Sequence, residues 1–184
     1  MAVNSSMVPL GTPAPAFDLT AVEGGSVALK ELKGSPATLV IFLSNHCPYV
    51  RHIESGIGAL AREYGSRMSI VAICSNDSVN YPDDDATHLS EQAHRAGFPF
   101  PYLMDETQEV ARAYRAACTP DFFLYDADLN LAYRGQFDGA RPGNKIPVTG
   151  ESLRAAIDAV LDERPVEGDQ VPSVGCSIKW KPGG

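Results

Sequence analysis

Residues 37–64 read ATLVIFLSNHCPYVRHIESGIGALAREY, and this stretch decides the fold class. Residues 37–44 are almost continuously apolar and rich in branched side chains, which predicts a central strand covered on both faces. Pro48 suits the first turn of a helix, where its missing N–H is not needed. Cys47 therefore stands where a buried strand gives way to a helix. Beyond it, apolar side chains recur every three or four positions, as on one face of an amphipathic helix: Val50, Ile53, Ile57, Leu60 and Tyr64.

The flanking sequence predicts further strands and helices in alternation, as in an α/β domain. Residues 1–15 are small, polar and proline-rich, and are expected to form an extended or frayed arm. Residues 163–184 are rich in proline and glycine and are expected to form a tail. Between these ends, the patterns predict a hairpin turning at Gly24-Gly25, a strand at 68–74, helices at 87–96 and after Asp105, a hairpin at 121–135 and a helix at 150–161.

The charge balance excludes several classes of partner. The 184 residues include 15 Lys and Arg against 23 Asp and Glu, a net charge of −8. Because duplex DNA, RNA and anionic membranes attract positive surfaces, we expect no nucleic acid and no membrane partner. No apolar run approaches the roughly 18 residues of a membrane-crossing helix. The first basic residue is Lys30, so no secretion signal is recognised and a cytoplasmic location is expected.

Four cysteines, at positions 47, 74, 118 and 176, carry the chemistry that the sequence offers. Thiols scattered in this way in a reducing compartment do not predict a structural disulfide framework. No Cys-x-x-Cys or chelating histidine pair is present, so we expect neither a metal ion nor another cofactor. Cys74 ends a predicted buried strand and is interpreted as a core residue. The acidic run at residues 83–85 is interpreted as a solvated charge cluster before a helix.

The position of Cys47 favours a reactive thiolate. Its sulfur is expected to face the unpaired N–H groups and the positive dipole end of the following helix. That effect contributes about 0.3 to 1 kcal/mol, less than the roughly 2.7 kcal/mol needed to make an ordinary thiol largely ionised at neutral pH. We expect His46 and Arg51 to supply the remainder through positive charge or hydrogen bonding.

Cys118-Thr119-Pro120 leads directly into a predicted strand. A strand that ends in a cysteine and opens a helix, followed later by Thr-Pro before a hairpin, resembles the thioredoxin fold, a central mixed sheet flanked by helices. The opening Pro-x-Phe-Asp-Leu at residues 15–19 and the Phe-Pro…Asp segment at 98–105 resemble the peroxiredoxin branch, also called the alkyl hydroperoxide reductase or thiol-specific antioxidant group. The resemblance covers residues 8–162, with an N-terminal hairpin added, and leaves 163–184 as a C-terminal tail.

The resemblance also implies roles for individual residues. It implies a cis peptide at Pro120, with Thr119 and Cys118 close to Cys47. The residues that would shape the substrate groove or tune the sulfur are then Ser44, His46, Pro48, Arg51, Thr119 and Pro120.

This sequence departs from both family patterns. Val50 replaces the second cysteine of the thioredoxin Cys-x-x-Cys, so dithiol exchange within one helical turn is impossible. The peroxiredoxin pattern is matched by Ser44 and Cys47, but Val40 stands where that pattern has proline. The arginine that peroxiredoxins place before the later strand falls near Pro120. The peroxide-activating set is therefore incomplete, and we expect slow reaction with peroxide.

Together these features predict a thiol-based oxidoreductase with an antioxidant or redox-homeostasis role. Cys47 would attack a disulfide or a hydroperoxide, and Cys118 or Cys176 would resolve the intermediate. The fold favours Cys118, two residues before Pro120, while mobility of the tail favours Cys176; we weight Cys118 more. The expected partners are a protein or small-molecule thiol or disulfide as reductant and, in the peroxidase case, a hydroperoxide; the sequence leaves a homodimer open.

Two alternatives from other classes remain open at this point. The first is a binding module that holds a soft metal through His46, Cys47, Cys118 and Cys176. The second is a redox-inert scaffold that keeps the fold without the chemistry.

Overall fold

Strands and helices alternate along residues 1–183, which the computed structural model describes. The strands in chain order are β1 (Ala2–Asn4), β2 (Asp18–Ala21), β3 (Ser26–Ala28), β4 (Ala37–Phe42), β5 (Ser69–Cys74), β6 (Tyr102–Met104), β7 (Cys118–Thr119), β8 (Asp121–Asp126), β9 (Leu131–Gly135) and β10 (Val174–Ser177). The helices are α1 (Leu29–Leu32), α2 (Pro48–Tyr64), α3 (Ala86–Ala96), α4 (Glu109–Tyr114) and α5 (Glu151–Leu161), with a 3-10 turn at Pro82–Asp84.

The main sheet is mixed, and β4 lies inside it. Its seven strands follow the order β3-β2-β6-β5-β4-β8-β9. β4 pairs in parallel with β5 and antiparallel with β8. Successive side chains of β4 point to opposite faces, so Leu39 and Ile41 enter the core beneath α2 and α5, while Val40 and Phe42 enter the core beneath α4. The predicted central strand, buried on both faces, is therefore confirmed.

Helix α2 fixes the position of the cysteine that precedes it. The helix begins at Pro48, with Cys47 as its N-cap residue, and buries the predicted apolar face. Each fully buried aliphatic side chain on that face contributes roughly 1.5 to 3 kcal/mol. The packing of this face against the sheet, more than helix propensity, therefore determines where the helix N-terminus lies. Within residues 1–183 no helix combines the length and the apolar character that a membrane crossing needs.

A smaller sheet joins the two ends of the chain. β10 lies between β1 and β7, with Cys176 opposite Ala2 on one side and opposite Thr119 on the other. The sequence predicted an extended or frayed arm and an extended tail; residues 2–4 and 174–177 are extended, but they are paired with each other as strands, which the sequence did not predict. Strands this short show no readable alternation, and their partners are distant in the chain. Both segments lie outside the range 8–162, yet β10 pairs with β7 inside it.

Candidate functional site

Cys47 is fully buried at the N-terminus of α2. Its thiol donates a hydrogen bond to the carbonyl of Thr119, with 3.0 Å between Sγ and O. The sulfur was expected to face the helix N–H groups, but it makes no capping hydrogen bond with them. The physical reason is that a protonated thiol carries a proton to donate, and the Thr119 carbonyl accepts it. Loss of that proton would leave the negative charge beside the positive end of the helix dipole.

The second sulfur at the site belongs to Cys176 in β10. Cys176 is the Cα partner of Thr119, the residue whose carbonyl accepts the Cys47 hydrogen bond. Its side chain is half-buried and packs against the core cluster that contains Cys47. Burial raises the pKa of the Cys176 thiol to about 12, and a side-chain hydrogen bond with Cys47 and the charge of Cys47 act in the same direction. The ionisation of each of these two thiols therefore depends on the other.

Cys118 lies in β7, and its side chain has surroundings that differ from those of Cys176. It is fully buried, and its thiol donates a weak hydrogen bond of 3.6 Å to the carbonyl of Pro120. Burial raises the pKa of the Cys118 thiol far above its ordinary value, and the negative charge of Asp121 adds to the effect. The charge of Cys47 also raises the pKa of Cys118, but a hydrogen-bond contribution from Cys47 is found for Cys176 and not for Cys118. Cys176 is held in a docked strand, whereas the sequence suggested that it lies in a mobile tail.

The segment before Pro120 is covered by β10. The peptide bond between Thr119 and Pro120 is cis, as the resemblance implied, and both residues are buried. A Cβ atom on Gly175 would lie 2.0 Å from the Thr119 carbonyl oxygen and 3.1 Å from Cδ of Pro120. Only a residue without a side chain allows this approach. The groove expected beside Thr119 and Pro120 is therefore filled by the chain itself.

Asp84 holds the loop that precedes Cys47. Its fully buried carboxylate accepts hydrogen bonds from the Asn45 N–H at 2.7 Å, from Nδ1 of His46 at 2.5 Å and from Oγ of Ser44 at 3.1 Å. Burial opposes ionisation, but hydrogen bonds from His46 and Asn76 hold the pKa of Asp84 below its ordinary value. A charged carboxylate thus ties the loop in place by several charge-assisted hydrogen bonds.

The acidic run at residues 83–85 is not uniformly solvated, so that interpretation was wrong for one of its members. Asp83 is exposed, and Asp85 accepts a hydrogen bond from the His88 N–H as the N-cap residue of α3. Asp84, between them, is fully buried because the 3-10 turn places it beneath the loop before Cys47. Three identical residues in a row give no signal of which one is buried.

His46 and Arg51 fix the loop rather than contact the sulfur. The His46 ring is bonded to Asp84 and stacks on Tyr81, with ring centroids 5.6 Å apart. Nε of Arg51 donates to the carbonyl of Asn45 at 2.7 Å. Neither side chain makes a hydrogen bond to Cys47 within the described part of the chain. Pro48 occupies the first helical position, is exposed and makes no contact that bears on the chemistry.

The arrangement does not bring together the ligands of the soft-metal alternative. His46 is bonded to Asp84, whereas the Cys47 thiol is bonded to the Thr119 carbonyl. Among residues 1–183 there is no group of three His, Cys, Asp or Glu side chains placed to hold a metal ion.

The sequence of the core domain identifies its family. A sequence model of the AhpC/TSA family matches residues 10–134, more than half of the chain. The chain belongs to the AhpC/TSA family. No curated protein matches it. The resemblance to this family, predicted from residues 15–19 and 98–105, is confirmed.

Solved structures similar to this AhpC/TSA protein support the fold. An uncharacterized conserved protein from Geobacillus kaustophilus is 54% identical, with a TM-score of 0.96 over 100% of this chain and 98% of its own. A hypothetical protein from Sinorhizobium meliloti 1021 is 49% identical, with a TM-score of 0.95 over 98% and 99% of the two chains.

A more distant similarity fixes the fold class. A thiol:disulfide interchange protein of the thioredoxin family from Chlorobium tepidum TLS is 19% identical, with a TM-score of 0.63 over 85% of this chain and 99% of its own. A likeness at this identity shows the fold alone. The predicted thioredoxin fold is therefore confirmed.

Sequence reasoning missed three residues that shape the site. Gly175 lies in a segment with several other glycines, so the sequence does not indicate which of them approaches Thr119 closely. Asp84 is hidden in an acidic run. Asn76 follows a buried strand in the polar stretch SNDSVN, and polar residues at the end of a buried strand are the one signal that pointed toward a site.

Proposed function

We propose that this AhpC/TSA protein is a thiol–disulfide oxidoreductase in which Cys47 and Cys176 alternate between two thiols and one disulfide. The observation that carries the proposal is geometric: Cys176 lies opposite Thr119, and the Thr119 carbonyl accepts the hydrogen bond of the Cys47 thiol. Disulfide formation requires close approach of the two cysteines. Two thiols placed on either side of the same residue need only local movement to form the bond.

The two cysteines have different roles because their surroundings differ. Cys47 lies at the N-terminus of α2, a helix of 17 residues, where a thiolate is stabilised by the helix dipole. Cys176, with its pKa raised to about 12 chiefly by burial, keeps its proton at neutral pH. Cys47 is therefore the attacking sulfur, and Cys176 acts once a bond has formed at Cys47.

The proposed reaction balances as two thiol–disulfide exchanges. The Cys47 thiolate attacks one sulfur of an external disulfide RSSR, forms a mixed disulfide and displaces RS⁻. Cys176 then gives up its proton and attacks the Cys47 sulfur, which displaces the second RS⁻. Two protein thiols are oxidised, and RSSR is reduced to two RSH. A protein or small-molecule thiol would drive the reverse steps and restore the reduced protein.

A hydroperoxide is the second candidate oxidant, and membership of the AhpC/TSA family favours it. Attack of the Cys47 thiolate on the peroxide O–O bond gives a sulfenic acid and an alcohol; attack by Cys176 then gives the disulfide and water. The site offers little help with this step, because Oγ of Ser44 donates to Asp84 and Arg51 binds the Asn45 carbonyl. We expect peroxide to be consumed more slowly than a small disulfide.

The test is trapping of the first intermediate. With oxidised glutathione, Cys176→Ser should stop at a mixed disulfide between glutathione and Cys47, and turnover should fall by about a hundredfold or more because the second exchange is lost. Intact-mass and peptide mass spectrometry identify the adduct. Cys74→Ala is the matched control, since the Cys74 thiol is buried at the end of β5 and its pKa is raised, chiefly by that burial.

Two results would contradict the proposal. One is an adduct that accumulates in Cys118→Ser but not in Cys176→Ser, which would assign the resolving role to the other strand. The other is the absence of any reaction at Cys47 in the wild-type protein, which would favour the redox-inert scaffold.

A further inference from the structure

Asn76 connects the segment before Cys47 with the segment after Cys176. It lies two residues beyond the end of β5 and is buried. Its Nδ2 donates to Oδ2 of Asp84 at 2.7 Å, and its Oδ1 accepts from the Lys179 N–H at 2.8 Å. The orientation of the amide is fixed by its partners, since a carboxylate only accepts and a backbone N–H only donates.

Each end of this bridge continues to one of the two cysteine-bearing segments. On one side, Asp84 binds the backbone and side chains of residues 44–46, which lead directly into Cys47. On the other side, Lys179 lies three residues after Cys176, and its carbonyl accepts from the Asp77 N–H at 2.9 Å. Asn76 and its neighbour Asp77 thus bind both backbone polar groups of Lys179, its N–H and its carbonyl.

We propose that Asn76 is a positioning residue that sets the approach of Cys176 to Cys47. The inference rests on the proposed pairing of these cysteines. Asn76 touches neither sulfur, so it does not take part in the exchange itself. By holding the loop and the tail to one shared side chain, it raises the effective concentration of one thiol at the other.

An amide is required at this position by the chemistry of its two partners. Alanine would leave the Lys179 N–H without its buried acceptor and would remove one of the donors to Oδ2 of Asp84, which keeps its bond with His46. Aspartate has nearly the same shape but cannot donate when ionised, and it would place a second negative charge against Asp84. Both changes loosen the bridge without removing a contact of Cys47 or Cys176.

The measurement is the equilibrium of the Cys47–Cys176 disulfide with reduced and oxidised glutathione in the full-length protein. Asn76→Ala is expected to lower the equilibrium constant for disulfide formation by about tenfold, which corresponds to about 30 mV in the reduction potential. The fluorescence of Trp180, which stacks against Arg112 at 4.4 Å, reports in the same samples whether the tail end remains docked. Asn76→Ser provides a second, smaller change in case the alanine variant fails to fold.

Two controls separate bridging from general loosening. Asn80→Ala removes a hydrogen bond to Asp77 in the same loop but no contact with Asp84 or Lys179, and it should leave the equilibrium within about twofold of wild type. Gln108→Ala removes hydrogen bonds to the carbonyls of Ser75 and Lys179 and from the Lys181 N–H, but it keeps the bonds of Asn76 to Asp84 and Lys179, and it should have a smaller effect than Asn76→Ala.

Different results would overturn the role of Asn76 and the proposed function. An equilibrium constant for folded Asn76→Ala or Asn76→Ser within about twofold of wild type would overturn the role of Asn76. An equal fall in Asn80→Ala would also overturn it, because the effect would then be general. Failure of the wild-type protein to form the Cys47–Cys176 disulfide would instead overturn the proposed function.

Discussion

Cys118 and Cys176 lie on neighbouring strands, yet Cys47 affects their two thiols differently. Cys118 is fully buried and bonds to the carbonyl of Pro120, beside the buried ion pair of Asp121 and Arg134. Cys176 is half-buried, lies opposite Thr119 and interacts with Cys47. The difference shows that nearness to Pro120 in the chain does not decide which thiol meets the nucleophile, because neighbouring side chains of a strand point to opposite faces.

The surroundings of Cys118 also oppose its chemistry. Arg134 is bound to Asp121 and to the Ser6 carbonyl, and it lies 3.7 Å from the centre of the Phe123 ring. Breaking such a buried ion pair strongly destabilises the fold, so these groups keep a fixed position beside Cys118. Cys118 is fully buried beside these groups, whereas Cys176 is half-buried in a short strand.

The largest effect on the comparison is expected from Gly175→Ala. The added Cβ would lie 2.0 Å from the Thr119 carbonyl oxygen, so β10 must move away. We expect the alkylation rate of Cys47 by iodoacetamide to rise by about tenfold or more, and disulfide formation with Cys176 to fall by a similar factor. The alkylation rate of Cys118, which is held in β7 and the core, should not change.

Gly139→Ala is the matched control for that substitution. A Cβ there would meet only Ile146, at an ordinary distance of 3.7 Å. Unchanged alkylation of Cys47 in Gly175→Ala would show that β10 does not control access to the nucleophile.

An intermediate effect is expected on the pH dependence of Cys176 alkylation. Because its pKa is raised to about 12, first by burial and then by Cys47, the wild-type rate should rise about tenfold per pH unit from about pH 7 to 10 without a plateau. Cys47→Ser removes the contribution of Cys47 but keeps the burial. The pKa of Cys176 should fall, and its alkylation at about pH 8 should become faster by about threefold.

Peptide-resolved mass spectrometry separates this effect from changes at other thiols. The rate at Cys118 should change less, since its pKa is raised mainly by burial and by Asp121. An unaltered Cys176 profile in Cys47→Ser would contradict the interaction of the two thiols.

The smallest effect is expected from Ser44→Ala, which acts on the Cys47 side and does not distinguish the two candidate partners. Asp84 loses the hydroxyl donor at 3.1 Å but keeps Asn45, His46 and Asn76. We expect a loss of about 1 kcal/mol in the free energy of unfolding, measured by urea denaturation. Ser90→Ala, which removes an exposed hydrogen bond to Glu23, should change the free energy of unfolding by less than about 0.5 kcal/mol. A loss of about 3 kcal/mol or more would mean that Asp84 depends on Ser44 alone.

The parts of the fold that the sequence predicted are those decided by local patterns. The apolar run at 37–44 and the spacing of Val50, Ile53 and Ile57 placed β4 and α2 because burial on a strand and on a helix face has a short period. The Thr-Pro before a hairpin placed the cis peptide at Pro120 only through family resemblance.

The parts that the sequence did not predict depend on contacts between distant residues. The pairing of β10 with β1 and β7 brings residues from both ends of the chain together, and no local period records it. The burial of Asp84 and the bridge through Asn76 likewise depend on which polar groups the folded chain places beside them. Our proposed choice of Cys176 over Cys118 rests on these long-range contacts, which the spacing of residues in the sequence does not record.

The most direct test of the account is the disulfide map of the wild-type protein after reaction with one equivalent of oxidised glutathione. Non-reducing proteolysis and mass spectrometry identify which peptides remain linked. The account predicts a bond between Cys47 and Cys176, with Cys118 recovered as a free thiol. A bond between Cys47 and Cys118, or four free thiols after exposure to the oxidant, would contradict it.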